Sequence, residues 1–200
     1  MTSWNRSRMR PEVRISFAEY ERLDAASASR LEYHDGAIRR MESPSMPHET
    51  IVTNLSDLLA PGVRRARCRK FTNATIVTRD GRYGYRPDLA VSCDAADLGP
   101  GEHQRACRLQ APSLIVEVLS RSTATLDLGD KVLVYTRIAS LASYLVIDSR
   151  RRWAVAYRRD AAGAIGPMEE IAASFETAYG TLSLDEFYDG VDVASLTPLE

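Results

Sequence analysis

The sequence predicts a single α/β domain. Three observations predict it. Leu114 to Leu119 is a near-continuous apolar run, the pattern of a central strand buried on both faces. Ile51, Leu55, Leu58, Leu59 and Val63 recur at helical spacing within 48–67, and Leu128, Val132 and Tyr135 do so within 125–138. Shorter strand-like runs bounded by turn residues alternate with these helices. Two hundred residues suffice for one sizeable core, and no repeat or low-complexity linker divides the chain.

Residues 1–13 are polar and carry Arg6, Arg8 and Arg10, so they read as a mobile arm, with one domain over 14–190 and a tail over 191–200. Ser16 and Glu19 have capping-box spacing ahead of a short helix near 16–25. His34-Asp35-Gly36 is a hairpin turn between strands at 30–33 and 37–41, with Glu32 on the first strand. His48 opens the helix over 48–67, which Pro61 should kink or end. Strands are expected over 71–78 and 85–91, the second containing Pro87 and Asp88, followed by a flap-like loop over 95–112. After the apolar strand and its helix come strands at 144–148, 153–158 and 169–173. Ser183 with Glu186 then caps a terminal helix.

The formal net charge is -1, so no global basic field marks the chain as a duplex binder. Positive charge is local: Arg64, Arg65, Arg67, Arg69 and Lys70 form the densest basic cluster, either a solvated helix end or a phosphate-contacting patch. Cys68, Cys93 and Cys107 are odd in number without Cys-x-x-Cys spacing, which argues against a disulfide framework or zinc site. No stretch approaches a membrane span and the N-terminus lacks an apolar signal core; a cytoplasmic protein is expected. Neither a Gly-x-Ser-x-Gly elbow nor a Gly-x-x-x-x-Gly-Lys loop occurs.

Glu117 interrupts the apolar strand. A carboxylate among aliphatic neighbours must be protonated, paired or bound to a cation. Asp88 opens an earlier strand, and Lys131, one of only two lysines, follows on the next helix. Two carboxylates on adjacent strands suit a hard divalent ion such as Mg²⁺ or Mn²⁺, which can polarise a phosphodiester. A nearby ammonium opposes charge building on the phosphate. The competing readings are an intrahelical Asp127–Lys131 pair and a structural salt bridge from Glu117 to a buried Arg such as Arg86.

The order Pro-Asp, then Glu, then Lys resembles the PD-(D/E)xK nuclease superfamily, and more closely its Uma-type restriction endonuclease family. The resemblance is carried by Leu31 to Gly36, His48, Tyr85 to Val91, Leu114 to Ser120, Ser122, Thr123, Asp127, Lys131, Tyr135 and Tyr144 to Asp148. It implies a restriction-endonuclease-like α/β core, a mixed β-sheet flanked by helices, and Mg²⁺- or Mn²⁺-dependent hydrolysis of DNA. Asp88 and Glu117 would be the metal ligands, catalytic together with Lys131, and Glu32, His48 and Asp127 the accessory residues. The superfamily pattern places Lys two residues after the Glu, where this chain has Leu119; the family resemblance moves the amine to Lys131. The alternative is a catalytically silent module with this fold that binds nucleic acid or a protein partner. Duplex cleavage by two sites suggests a homodimer, although no residue shows one.

Overall fold

The computed structural model describes residues 14–101, 107–120 and 128–192; the expected arm, Asp127 and most of the tail lie outside them. Helix α1 (Phe17–Ala26) starts where Ser16 Oγ accepts from the Glu19 N–H at 3.2 Å. Strands β1 (Leu31–His34) and β2 (Ala37–Arg40) form the expected hairpin. Its turn needs positive φ at both central residues, supplied by Asp35 at 44° and Gly36 at 93°.

Helix α2 (Met46–Arg65) is capped by Ser45, whose Oγ accepts from His48 N, and continues past Pro61 to Arg65. The expected break is absent because the last turn is docked. The Gly62 backbone lies so close to the Tyr179 carbonyl that a Cβ would stand 1.6 Å from that oxygen, and Val63 is buried.

The strands expected over 71–78 and 85–91 are each divided. Strand β3 (Arg69–Phe71) is separate from β4 (Thr75–Val77), and β5 (Tyr83–Tyr85) from β6 (Leu89–Ser92). Pro87 cannot donate to a ladder, so the chain leaves one sheet before it and enters another just after Asp88. Of the loop expected over 95–112, the described ends are ordered elements: helix α3 (Ala95–Leu98) and strand β7 (Arg108–Leu109). The buried Asp97 carboxylate ties these two ends together, accepting from Ser92 Oγ at 2.7 Å, Gln110 N at 2.8 Å and Ala111 N at 3.1 Å.

The apolar run becomes β8 (Pro112–Leu119), followed by α4 (Asp130–Tyr135), β9 (Ser143–Asp148), β10 (Ala154–Arg158) and β11 (Glu169–Glu170). A hairpin that sequence reasoning missed, β12 (Ser174–Thr177) and β13 (Gly180–Ser183), precedes α5 (Leu184–Phe187). Ser183 makes no side-chain cap there, since it sits at the end of β13 opposite Ser174.

One sheet has the order β11-β10-β9-β8-β6-β3, mixed because β8 and β9 are parallel; another runs β2-β1-β5-β4-β7. Strand β8 separates two cores by simple alternation. Leu114, Val116 and Val118 pack toward Ile51, Leu55 and Leu59 of α2. Ile115 and Leu119 pack toward Tyr135 and Tyr144. Glu117 shares the parity of this second set, which aims it at α4.

Cys68 and Cys93 form a disulfide, contrary to the expectation from count and spacing. The β3–β6 register pairs Arg69 with Ser92, so the residues one step outward are the two cysteines. Cys107 is the free, exposed thiol. No described helix is long and apolar enough to cross a membrane.

Candidate active site

Residue Glu117 reaches the side of α4 by strand parity, and Lys131 lies in that helix's first turn. The result is a buried cluster. Lys131 Nζ stands 2.9 Å from Glu117 Oε1 and 3.0 Å from Glu32 Oε1, with all three side chains almost wholly inaccessible. The Tyr135 hydroxyl, one turn further along α4, donates to the same Glu117 oxygen at 3.0 Å. Glu32 arrives from β1, in the other sheet, and its Oε1 also accepts from the Arg86 N–H at 3.0 Å. The Arg86 side chain turns away to pair with Asp24, so the competing reading of a bridge from Glu117 to Arg86 is not met. Glu117 is instead paired with an ammonium and a phenol, and Arg86 with a carboxylate of its own.

Asp88 joins them by register. Leu89 pairs with Val116 across β6 and β8, so one step outward sets Asp88 against Glu117. Its Oδ2 accepts from Val118 N at 2.7 Å and lies 3.2 Å from His48 Nε2. His48, from the first turn of α2, is buried, which disfavours its charge. The Asp88 carboxylate, with Glu49 and the Val118 backbone, outweighs this and lifts the imidazole pKa above its usual value. Its Nδ1 is buried without a hydrogen bond; Glu49 Oε1 is 3.7 Å away.

Glu32, His48, Asp88, Glu117 and Lys131 all line one cleft of about 360 Å³. Of the candidates named from sequence, these five converge, and Asp127 lies outside the described residues. The basic cluster at 64–70 does not line the cleft. It sits at the far end of α2, about 24 Å from His48 at 1.5 Å of rise per residue. Lys70 there is engaged, its Nζ donating to the Ser56 carbonyl at 2.6 Å. Sequence reasoning missed Arg30, Arg39 and Arg40, which line the cleft, and gave Tyr135 a place on the core face of its helix and in the family resemblance but no role toward Glu117. For Arg39 a signal existed: a two-residue turn at Asp35-Gly36 sets it directly opposite Glu32.

The donors Asp88, Glu117 and Glu32 are all carboxylate oxygens, the type that suits Mg²⁺ or Mn²⁺ rather than softer metals. Among the described residues no three His, Cys, Asp or Glu side chains are grouped closely enough to cage a metal. Mg²⁺ is ordinarily held through one or two carboxylates, with water and substrate phosphate completing its shell, so the Asp88–Glu117 pair fits.

The family model Uma2, described as "Putative restriction endonuclease", matches residues 17–192. The chain belongs to this family. Two Synechocystis proteins are similar to it. "Uncharacterized protein slr1290" is 29% identical over 140 residues, covering 70% of this chain and 71% of that one. "Uncharacterized protein sll1609" is 27% identical over 135 residues, covering 67% and 75%. A solved structure from Anabaena variabilis, titled a "putative nuclease belonging to DUF820", superposes with a TM-score of 0.71 at 18% identity, over 88% of this chain and 98% of that one. At that identity the likeness is one of fold, and Uma2 membership is what supports a nuclease-like function here.

Proposed function

We propose that this Uma2 family member is a divalent-metal-dependent endonuclease that hydrolyses DNA phosphodiester bonds. The observation that carries the proposal is the Lys131 ammonium held between Glu32 and Glu117, with Asp88 set against Glu117 on the same cleft. Lys131 thus supplies an amine in a site whose strand has Leu119 where a lysine is usual.

Asp88 and Glu117 are the residues that would hold Mg²⁺ or Mn²⁺. When bound, the ion supplies Lewis-acid polarisation of the phosphodiester and lowers the pKa of a water beside it. The chain's own groups do the rest. Val118 N and His48 fix the Asp88 carboxylate, and Tyr135 fixes Glu117. Lys131 opposes negative charge as it builds on the phosphate, in a site where burial strengthens that interaction. Glu32 holds the ammonium in place. Cutting both strands in one encounter calls for a second copy of the chain.

The test is cleavage of plasmid DNA by the purified chain with Mg²⁺ or Mn²⁺. Cutting should be abolished by chelation and by Asp88→Asn, Glu117→Gln or Lys131→Met in folded protein. Intact plasmid under every metal condition, together with no heat of Mn²⁺ binding by calorimetry, would leave the silent-module reading in its place.

A further inference from the structure

We infer that the β1–β2 hairpin is the wall of this cleft that grips the DNA backbone, with Arg30, Arg39 and Arg40 as its phosphate contacts. The inference rests on the nuclease reading of the cleft and names how its substrate is held. Strand register gathers the three arginines at the open end of the hairpin, Arg30 and Arg39 on the face of Glu32 and Arg40 on the face of Leu31. Glu32 pairs with Arg39 and Leu31 with Arg40, and the Met41 N–H donates to the Arg30 carbonyl at 2.9 Å, bringing Arg30 to the open end beside Arg40. Arg30 and Arg40 are exposed, Arg39 is half-buried, and all three line the cleft that contains Asp88, Glu117 and Lys131.

The charge arithmetic of the cleft requires such a wall. Glu32, Asp88 and Glu117, with Glu42 and Glu49 on the rim, put five carboxylates on its lining. Without the hairpin arginines, only Lys131 and a protonated His48 stand against them, and a polyanion is repelled. Three guanidiniums cancel that excess where the backbone must enter, and a guanidinium can clamp two phosphate oxygens at once. The wall is also well placed to set register. The carboxylate that clamps Lys131 sits on the same hairpin, so its arginines are held at fixed distance from the catalytic groups. The densest basic cluster in the sequence, at the far end of α2, has none of these connections.

The test is anisotropy of a labelled DNA duplex with the full chain in EDTA, titrated with KCl. Each lost phosphate contact lowers the steepness of log K against log[salt] by about 0.9. The Arg30→Gln/Arg39→Gln/Arg40→Gln variant should therefore lose about 2 to 3 from the slope, while Arg64→Gln/Arg65→Gln/Arg67→Gln keeps the parental slope. Arg30→Gln and Arg40→Gln singly change exposed side chains, and each should lose about 0.9 even if the triple variant is poorly folded. An unchanged slope in the hairpin variants, or a lost slope in the α2 variant, overturns the inference. If the parent chain cuts DNA yet the hairpin variants bind like it, this inference alone fails. If hairpin-dependent binding is present without cleavage under any metal, the hairpin wall stands and the nuclease reading fails. Absence of DNA binding by the parent chain overturns both.

Discussion

The Lys131 ammonium lies 3.0 Å from Glu32 Oε1 and 2.9 Å from Glu117 Oε1, joining one strand from each of the two larger sheets through a single buried cation. The site is therefore also a structural joint. Its charges are mutually dependent, because each carboxylate is tolerable in this burial only while the ammonium is present.

Replacing Lys131 with Met should destabilise the fold by about 3–5 kcal/mol, the usual consequence of leaving buried charge uncompensated. Adding Glu32→Gln and Glu117→Gln to that variant should recover a large part of the loss, since the orphaned charges are then gone. Urea denaturation of the three proteins measures both effects. A Lys131→Met protein as stable as the parent would show that the ion pairs contribute nothing net.

Gly62 lies inside α2, where helix propensity by itself predicts that Ala is better by about 1 kcal/mol. The tertiary contact predicts the opposite sign. A Cβ at Gly62 would stand 1.6 Å from the Tyr179 carbonyl oxygen, so either the helix end or the β12–β13 hairpin must move. Gly62→Ala should be destabilised by about 1–3 kcal/mol, the range for overpacking. Thermal melts decide the sign directly.

The Cys68–Cys93 bridge spans a sequence separation of 25 residues. Chain-entropy reasoning gives a loop of that size about 3 kcal/mol of stabilisation. Thiol titration of the unfolded, unreduced chain should find Cys107 alone, and Cys68→Ser/Cys93→Ser should lower stability by about that amount. Three reactive thiols per chain before reduction would sink the assignment.

Burial pushes the Tyr188 phenol up to about 12, helped by the Asp148 charge and opposed by the Trp153 backbone and the Arg151 and Arg152 charges. A phenol whose folded pKa exceeds the ordinary value of about 10 stabilises the fold fully below pH 10. That contribution is lost as pH rises from 10 toward the folded value. Stability should therefore fall over that window by roughly 2 kcal/mol more in the parent than in Tyr188→Phe, which lacks the titrating group. Denaturation curves from pH 9 to 12 make the comparison.

Much of this architecture is legible in single residues. The run through Val116 and Val118 marks β8 as central, Asp35-Gly36 marks the β1–β2 hairpin, and Glu117 stands out because an aliphatic strand has no use for it. The breaks at 72–74 and 86–88 are not legible in the same way. Both flanking runs have strand character, and propensity cannot say that two halves of one run join different sheets. Pro61 was misleading for a similar reason: docking of Gly62 and Val63 outweighs a local preference to stop.

The sequence by itself determined the alternation of helix and strand, the central strand and its out-of-place carboxylate, because periodicity and turn chemistry act over a few residues. Only the tertiary structure decided which groups meet. The β6–β8 register brings Asp88 to Glu117, and the β3–β6 register brings Cys68 to Cys93. The packing of α4 on β8 delivers Lys131 to two carboxylates, and the hairpin sets Arg39 opposite Glu32 on the cleft wall. The physical reason is that hydrophobic patterning says which face is buried without naming its partner. Register and packing choose the partner, and in this chain they choose between a stray charge in a strand and one carboxylate of a composed site.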